Sequence, residues 1–134
     1  MTFMHDSTKN TARTIGAHGE ELACQYLKSQ GWTIVKRNFY VNHLEIDIIA
    51  QKEQVISFIE VKTRKFYPNS AFGTPAEAVN FAKKRNIARA AELYLLSNPI
   101  DPSLEVNLDI IEVYLSTDSM HAVKLNHYRN AYTA

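Results

Sequence analysis

Residues 44–63 read Leu44-Glu45-Ile46-Asp47-Ile48-Ile49-Ala50-Gln51-Lys52-Glu53-Gln54-Val55-Ile56-Ser57-Phe58-Ile59-Glu60-Val61-Lys62-Thr63. Two apolar runs, Leu44 to Ala50 and Val55 to Thr63, flank a polar segment short enough for a hairpin turn. Side chains alternate across a strand, so Glu45 and Asp47 are expected on one face, with Ile46 and Ile48 on the other. By the same rule Glu60 and Lys62 share a face opposite Ile59 and Val61. A one-residue slip would mix charged and apolar faces, which fixes the parity of pairing. With the tightest turn, Glu53-Gln54, Lys52 pairs with Val55, Asp47 lies opposite Glu60, and Glu45 lies opposite Lys62. Opposed residues on one face have Cβ atoms roughly 4.5–5.5 Å apart. Two carboxylates held that close repel unless a proton or cation lies between them. Mg²⁺ or Mn²⁺, hard ions that favour oxygen ligands, would suit such a site.

A solvated strand face also carries Glu, Asp and Lys, and cross-strand Glu–Lys pairs are common. This face differs in that Lys62 leads into Arg64 and Lys65, so acidic and basic charge abut. Carboxylates that fix an ion beside a lysine are what metal-assisted phosphodiester cleavage requires: the ion polarises the phosphate, and the cation offsets developing charge.

Working outward, Ala17, Leu22, Ala23, Tyr26 and Leu27 recur at helical spacing within Thr14 to Gln30, and Gly31 stands where a helix stops. Trp32 to Val41 reads as a strand. After a loop at Lys65 to Gly73, Thr74-Pro75-Ala76-Glu77 combines a cap, a first-turn proline and a capping-box acid. The helix it starts should run to about Leu96, before Asn98-Pro99. Val106 to Leu115 is a fourth strand and Ala122 to Leu125 a short fifth. The order α-β-β-β-α-β, with one strand more, describes a single α/β domain over residues 14–134. Residues 1–13 are polar and aperiodic, and are expected to be a flexible N-terminal segment.

In the first helix Glu20 shares a face with Ala23 and Leu27, whereas Glu21 points away. Glu20 therefore reads either as a boundary glutamate or as a third carboxylate for the metal site. In the second helix Lys83 interrupts the apolar stripe of Val79, Ile87 and Tyr94. It reads as a snorkelling lysine or as a cation directed at phosphate. Cys24, beside Ala23, reads as a small core residue, and Asp109, amid Leu108, Ile110 and Ile111, as a satisfied structural acid.

The chain has 134 residues, 46% hydrophobic and 22% charged, the mixture of an ordinary globule. Fifteen Lys and Arg against fourteen Asp and Glu leave a formal charge of +1, which argues against a basic nucleic-acid coat but not against a local patch. A single cysteine excludes an internal disulfide and a CxxC zinc or redox site. The N-terminal residues lack a secretory apolar region, and no run is apolar enough to span a bilayer. A cytoplasmic protein with no membrane partner is expected. His18-Gly19-Glu20 matches the H-x-E of zinc deaminases only superficially, because the cysteine pair is missing. His5, His43, His121 and His127 show no metal-ligand spacing.

Helical Glu20, Asp47, then Glu60-x-Lys62 and a long helix resemble the PD-(D/E)XK nuclease superfamily. Within it the chain resembles the YraN-like family of small bacterial endonuclease-like proteins. The matching text is Gly19-Glu20, Arg37-Asn38, Glu45-Ile46-Asp47-Ile48-Ile49-Ala50 and Phe58-Ile59-Glu60-Val61-Lys62-Thr63-Arg64. It continues with Phe72-Gly73-Thr74-Pro75-Ala76-Glu77-Ala78-Val79, Lys83, Ile87, Tyr94-Leu95, Leu108-Asp109-Ile110-Ile111 and Asn130-Ala131. The resemblance implies a restriction-endonuclease-like core with a mixed central sheet flanked by helices. It implies that Asp47 and Glu60 bind Mg²⁺ or Mn²⁺, aided by the Val61 carbonyl, and that Lys62 positions or activates water. Glu20 would complete the acidic cluster, as in archaeal Holliday-junction resolvases, with Glu45 as an accessory position. Arg64, Lys65 and Lys83 become candidates for contacting nucleic acid. Two departures are Leu44, where the family usually has glycine, and Asn107, where it often has arginine.

The expected function is metal-dependent hydrolysis of phosphodiester bonds in DNA, in a branched or otherwise structured form. The alternatives are a non-catalytic nucleic-acid-binding module, or an interaction subunit of a repair or recombination assembly. Resolvases work as dimers, so a homodimer is consistent with the resemblance, although no interface signature is legible. Because acids and bases nearly cancel at one place, affinity for nucleic acid is expected to be modest without metal and to increase with it.

Overall fold

Gly31 sets the first boundary. Helix α1, Thr11–Ser29, ends with Gly31 in the left-handed region at φ 91°. The Trp32 N–H donates to the Leu27 carbonyl at 2.9 Å, and the Gly31 N–H to that of Lys28 at 3.1 Å. The first bond and the left-handed glycine are features of a Schellman stop. The helix also begins three residues earlier than the apolar spacing indicated, since Thr11 to Arg13 contain nothing that breaks a helix. Strands β1, Thr33–Val41, β2, Leu44–Lys52, and β3, Val55–Lys65, succeed it along the chain. Helix α2, Phe81–Ser97, then crosses to β4, Glu105–Leu115, and β5, Ala122–Tyr128, which is longer than the sequence suggested. This computed structural model describes residues 11–67, 81–118 and 120–131, and the side chains of residues 11–12 and 81–83 also lie outside the description. The capping sequence Thr74 to Glu77 is outside the described residues.

The five strands form one sheet in the order β1-β2-β3-β4-β5. Only β3 and β4 run parallel, joined through α2; the other neighbours are antiparallel. This is the expected α/β architecture with a mixed sheet. α1 covers one face, where Ala23, Cys24 and Leu27 pack with Ile48, Ala50, Ile59, Ile111 and Val113. α2 covers the other, where Ile87, Ala90, Ala91 and Tyr94 meet Ile46, Ile49, Phe58 and Ile110. Cys24 is 1% exposed, as a core residue should be. No helix among the described residues is long and apolar enough to cross a membrane.

Two details of register set the place of the charged residues. Lys52 pairs with Val55 across the tight turn, as the turn length required, but the β2–β3 ladder stops at Ile48↔Ile59. The expected pairs Asp47–Glu60 and Glu45–Lys62 are therefore not formed, because the two strands cease pairing just before the charged residues. Ile46 and Ile48, expected on one face, also belong to different cores. The β1–β2 register passes from Arg37↔Ile48 to Phe39↔Ile46 without pairing Asn38 with Asp47. Asn38 is left-handed at φ 52°, so the regular alternation of the paired strands breaks opposite Asp47.

Candidate metal centre

Where the β2–β3 ladder ends, the chain brings three carboxylates together. Glu20 on α1 and Glu45 and Asp47 on β2 each offer an oxygen, and these atoms lie within 4.8 Å of one another. Glu20 reaches them because α1 approaches β3 closely at the preceding residue. A Cβ on Gly19 would overlap the Thr63 hydroxyl and methyl groups, so any larger residue there pushes the helix away. Asp47 is held by the Val61 N–H, which donates to its Oδ2 at 2.8 Å. A side-chain acceptor thus takes a backbone donor where the ladder has stopped.

The electrostatics arise from this crowding. Burial, a hydrogen bond with Glu45 and the charges of Glu20 and Glu45 push Asp47 up to about 8, against the lowering effect of the Val61 N–H. Burial and the Glu45 charge also raise Glu20, partly offset by Arg37. At neutral pH the cluster therefore retains a proton that its ordinary carboxylate values would release. An all-oxygen, acidic donor set of this kind fits Mg²⁺ or Mn²⁺ and not a soft metal.

A cleft of about 190 Å³ runs from this cluster to α2, lined by Glu45, Asp47, Glu60, Asn86 and Ile87. Glu60, on the cleft wall, sets its Oε1 3.0 Å from Lys62 Nζ, the two side chains being 22% and 19% exposed. Acceptors for a cation therefore border one depression, and one of its wall residues, Glu60, is paired with an ammonium group.

The chain matches the uncharacterised protein family UPF0102 over residues 19–113. It belongs to the UPF0102 family. A relative from Alkaliphilus oremlandii is 45% identical over 121 residues, covering 90% of this chain and 98% of that protein. One from Caldanaerobacter subterraneus subsp. tengcongensis is 40% identical over 124 residues, 92% of this chain and 98% of its own. A Clostridium botulinum relative is 42% identical over 114 residues, 84% and 90% of the two chains. All three carry only the UPF0102 family name.

In this UPF0102 protein the residues singled out from the sequence are not placed alike. Glu20 and Asp47 converge, and Glu45, expected only as an accessory, joins them as a full member. Glu60 lines the same cleft but is not one of the three, its Oε1 facing Lys62. Val61, expected to contribute its carbonyl, donates its N–H to Asp47. Arg64 is a partly exposed side chain whose Nε stands 3.9 Å from the buried Glu112 Oε2. Lys65 closes β3. Lys83 falls in the first turn of α2, and its side chain lies outside the described residues.

Sequence reasoning missed one polar assembly. Asp109, fully buried, accepts the Asn130 N–H at 2.7 Å through Oδ1. Its Oδ2 lies 2.8 Å from His127 Nε2, and His127 Nδ1 lies 3.1 Å from the Tyr26 hydroxyl. Asp109 is thus the satisfied structural acid expected, but its histidine partner was not foreseen. His127 is 18 residues away from it and 101 from Tyr26, so no local spacing could reveal them. His18, in the false deaminase motif, sets its Nε2 2.8 Å from the Met120 carbonyl.

Proposed function

We propose that this UPF0102 protein is a metal-dependent hydrolase of phosphodiester bonds in DNA, acting on a branched or otherwise structured form. The observation that carries the reading is the convergence of Glu20, Glu45 and Asp47 beside a cleft that Glu60, the ion-pair partner of Lys62, also lines. Three crowded carboxylates destabilise one another unless a proton or cation intervenes. A protein gains nothing from turning unneutralised acids toward phosphate, so this face suits nucleic acid only with a cation present. Glu20, Glu45 and Asp47 would hold Mg²⁺ or Mn²⁺, with Glu60 at the border. When bound, the ion supplies charge neutralisation at a phosphate oxygen and a more acidic water.

The chain's own residues do the rest. The Val61 N–H fixes the Asp47 carboxylate, and Gly19 lets α1 bring Glu20 to it. Glu60 restrains the Lys62 ammonium beside the cleft, where it offsets charge that grows on the phosphate in the transition state. Arg64 offers a further cation two residues on.

The test is cleavage of a panel of branched, flapped and linear DNAs with Mg²⁺ or Mn²⁺. Wild type should cut, and Asp47→Asn and Lys62→Ala should each lose at least about a hundredfold in rate. DNA that binds but stays intact under all conditions would overturn the hydrolase and leave a binding module.

A further inference from the structure

The hairpin joining β1 and β2 turns on two residues, Asn42 and His43, both left-handed at φ 49° and 66°. This is the tight turn whose twist matches that of the flanking strands. Val41 and Leu44 close it as a pair and pack against the core under α2. Phe39 anchors the same strand, its ring edge-on to Tyr94 with centroids 5.2 Å apart and planes at 85°. The hairpin is therefore held by its turn and by apolar contacts on three of its residues. Tyr40, between Phe39 and Val41, is excluded from that packing and keeps 66% of its surface exposed.

Tyr40 stands directly opposite Glu45 in the ladder, and Glu45 is one of the three converging carboxylates. Lys36 and Arg37 are exposed on the same strand. An exposed aromatic ring on a strand anchored by its neighbours thus lies one cross-strand step from the acids, with Arg37, paired to Glu21, further along that strand. An anchored backbone reduces the freedom that must be lost when a ligand stacks on the ring, and base–aromatic stacking is how proteins hold unpaired strands.

We propose that Tyr40 is a stacking platform for an unpaired base adjoining the phosphate at the acid cluster, so that the preferred substrate is a single-stranded or splayed nucleotide. The proposal rests on the hydrolase reading for what the cluster does, but not for whether a base stacks. A paired base inside a duplex has both faces covered and cannot use the ring. A base at a flap, fork or single-stranded end can.

The test uses the full chain with Ca²⁺ in place of Mg²⁺, a short oligothymidylate carrying one 2-aminopurine, and a blunt duplex of the same length. Wild type and Tyr40→Phe should bind the single strand and quench the 2-aminopurine. Tyr40→Ala should bind it about tenfold to a hundredfold more weakly and without quenching, while all three bind the duplex alike. Unchanged affinity and quenching in Tyr40→Ala would overturn the platform. So would a Tyr40→Phe variant as weak as Tyr40→Ala, because the ring would then not be the contact. With Mg²⁺ restored, an oligonucleotide bound and quenched but never cut defeats the hydrolase and leaves the platform standing. Cutting with quenching indifferent to Tyr40→Ala defeats the platform alone.

Discussion

Asp47 and Asp109 both lie on central strands of the same sheet and are surrounded by opposite chemistry. Asp109 is fully buried, and the Asn130 N–H and His127 meet its two oxygens at 2.7 and 2.8 Å. Asp47 has one backbone donor, Val61, at 2.8 Å, and its other close polar neighbours are the acids Glu20 and Glu45. An acid set among partners of complementary chemistry serves the fold. An acid set among acceptors holds a proton or awaits a cation, and Asp47 is accordingly pushed up to about 8.

The contrast between the two acids is largest in stability. Asp109→Ala removes the partner of a buried histidine and of the Asn130 N–H, and should lower unfolding free energy by about 3 kcal/mol. Urea denaturation reads this directly. A loss under about 1 kcal/mol would mean that Asp109 does not hold β5 to the sheet.

Asp47→Asn should act in the other direction in the absence of metal. Its folded pKa is raised, so the folded protein keeps a proton that the unfolded chain releases near the ordinary aspartate value of 3.8. That contribution to stability is fully present below about pH 4 and is lost as pH rises through about 8. Metal-free wild type should therefore lose stability between those limits, and Asp47→Asn should follow a flatter curve and match or exceed wild type near pH 9. Urea midpoints across the pH range give the comparison. A wild-type curve that rises with pH relative to Asp47→Asn would reverse the sign of the effect.

Gly19→Ala should cost about 1–3 kcal/mol, since the new methyl overlaps the short, branched Thr63 side chain. It should also weaken Mn²⁺ binding by displacing Glu20, a coupling visible when melting and titration are run on one sample. Glu21→Gln marks the bottom of the scale. Its 3.2 Å contact with Arg37 is an exposed ion pair, so stability should change by less than about 0.5 kcal/mol. Mn²⁺ affinity should stay the same although Glu20 is adjacent.

Most of the fold was legible because it rests on local periodicity and punctuation. The helical stripe around Ala23 and Leu27, Gly31 as a stop, and the tight turn pairing Lys52 with Val55 all depend on neighbouring residues. The site was legible in its membership more than in its geometry. Face arguments and the resemblance singled out Glu20 and Asp47, which the structure brings together with Glu45. The convergence of Glu45 with Glu20 and Asp47 was not anticipated, because regular pairing was extrapolated past Ile48↔Ile59, where the ladder ends. The split of Ile46 and Ile48 between two cores accompanies the left-handed Asn38, which alternation cannot anticipate. His127 stayed hidden because its partners are distant in sequence and meet only when β5 docks on β4.

The hydrolase reading depends on the Glu20, Glu45 and Asp47 cluster being built around a divalent cation. Calorimetric titration of Mn²⁺ into wild type and Asp47→Asn, in buffers of different ionisation enthalpy, decides it. Wild type should bind with release of about one proton, and its affinity should increase about tenfold per pH unit below about 8. Asp47→Asn should bind far more weakly, with that proton missing. Equal affinity in the two proteins, or binding by wild type with no proton released at neutral pH, would refute the metal centre.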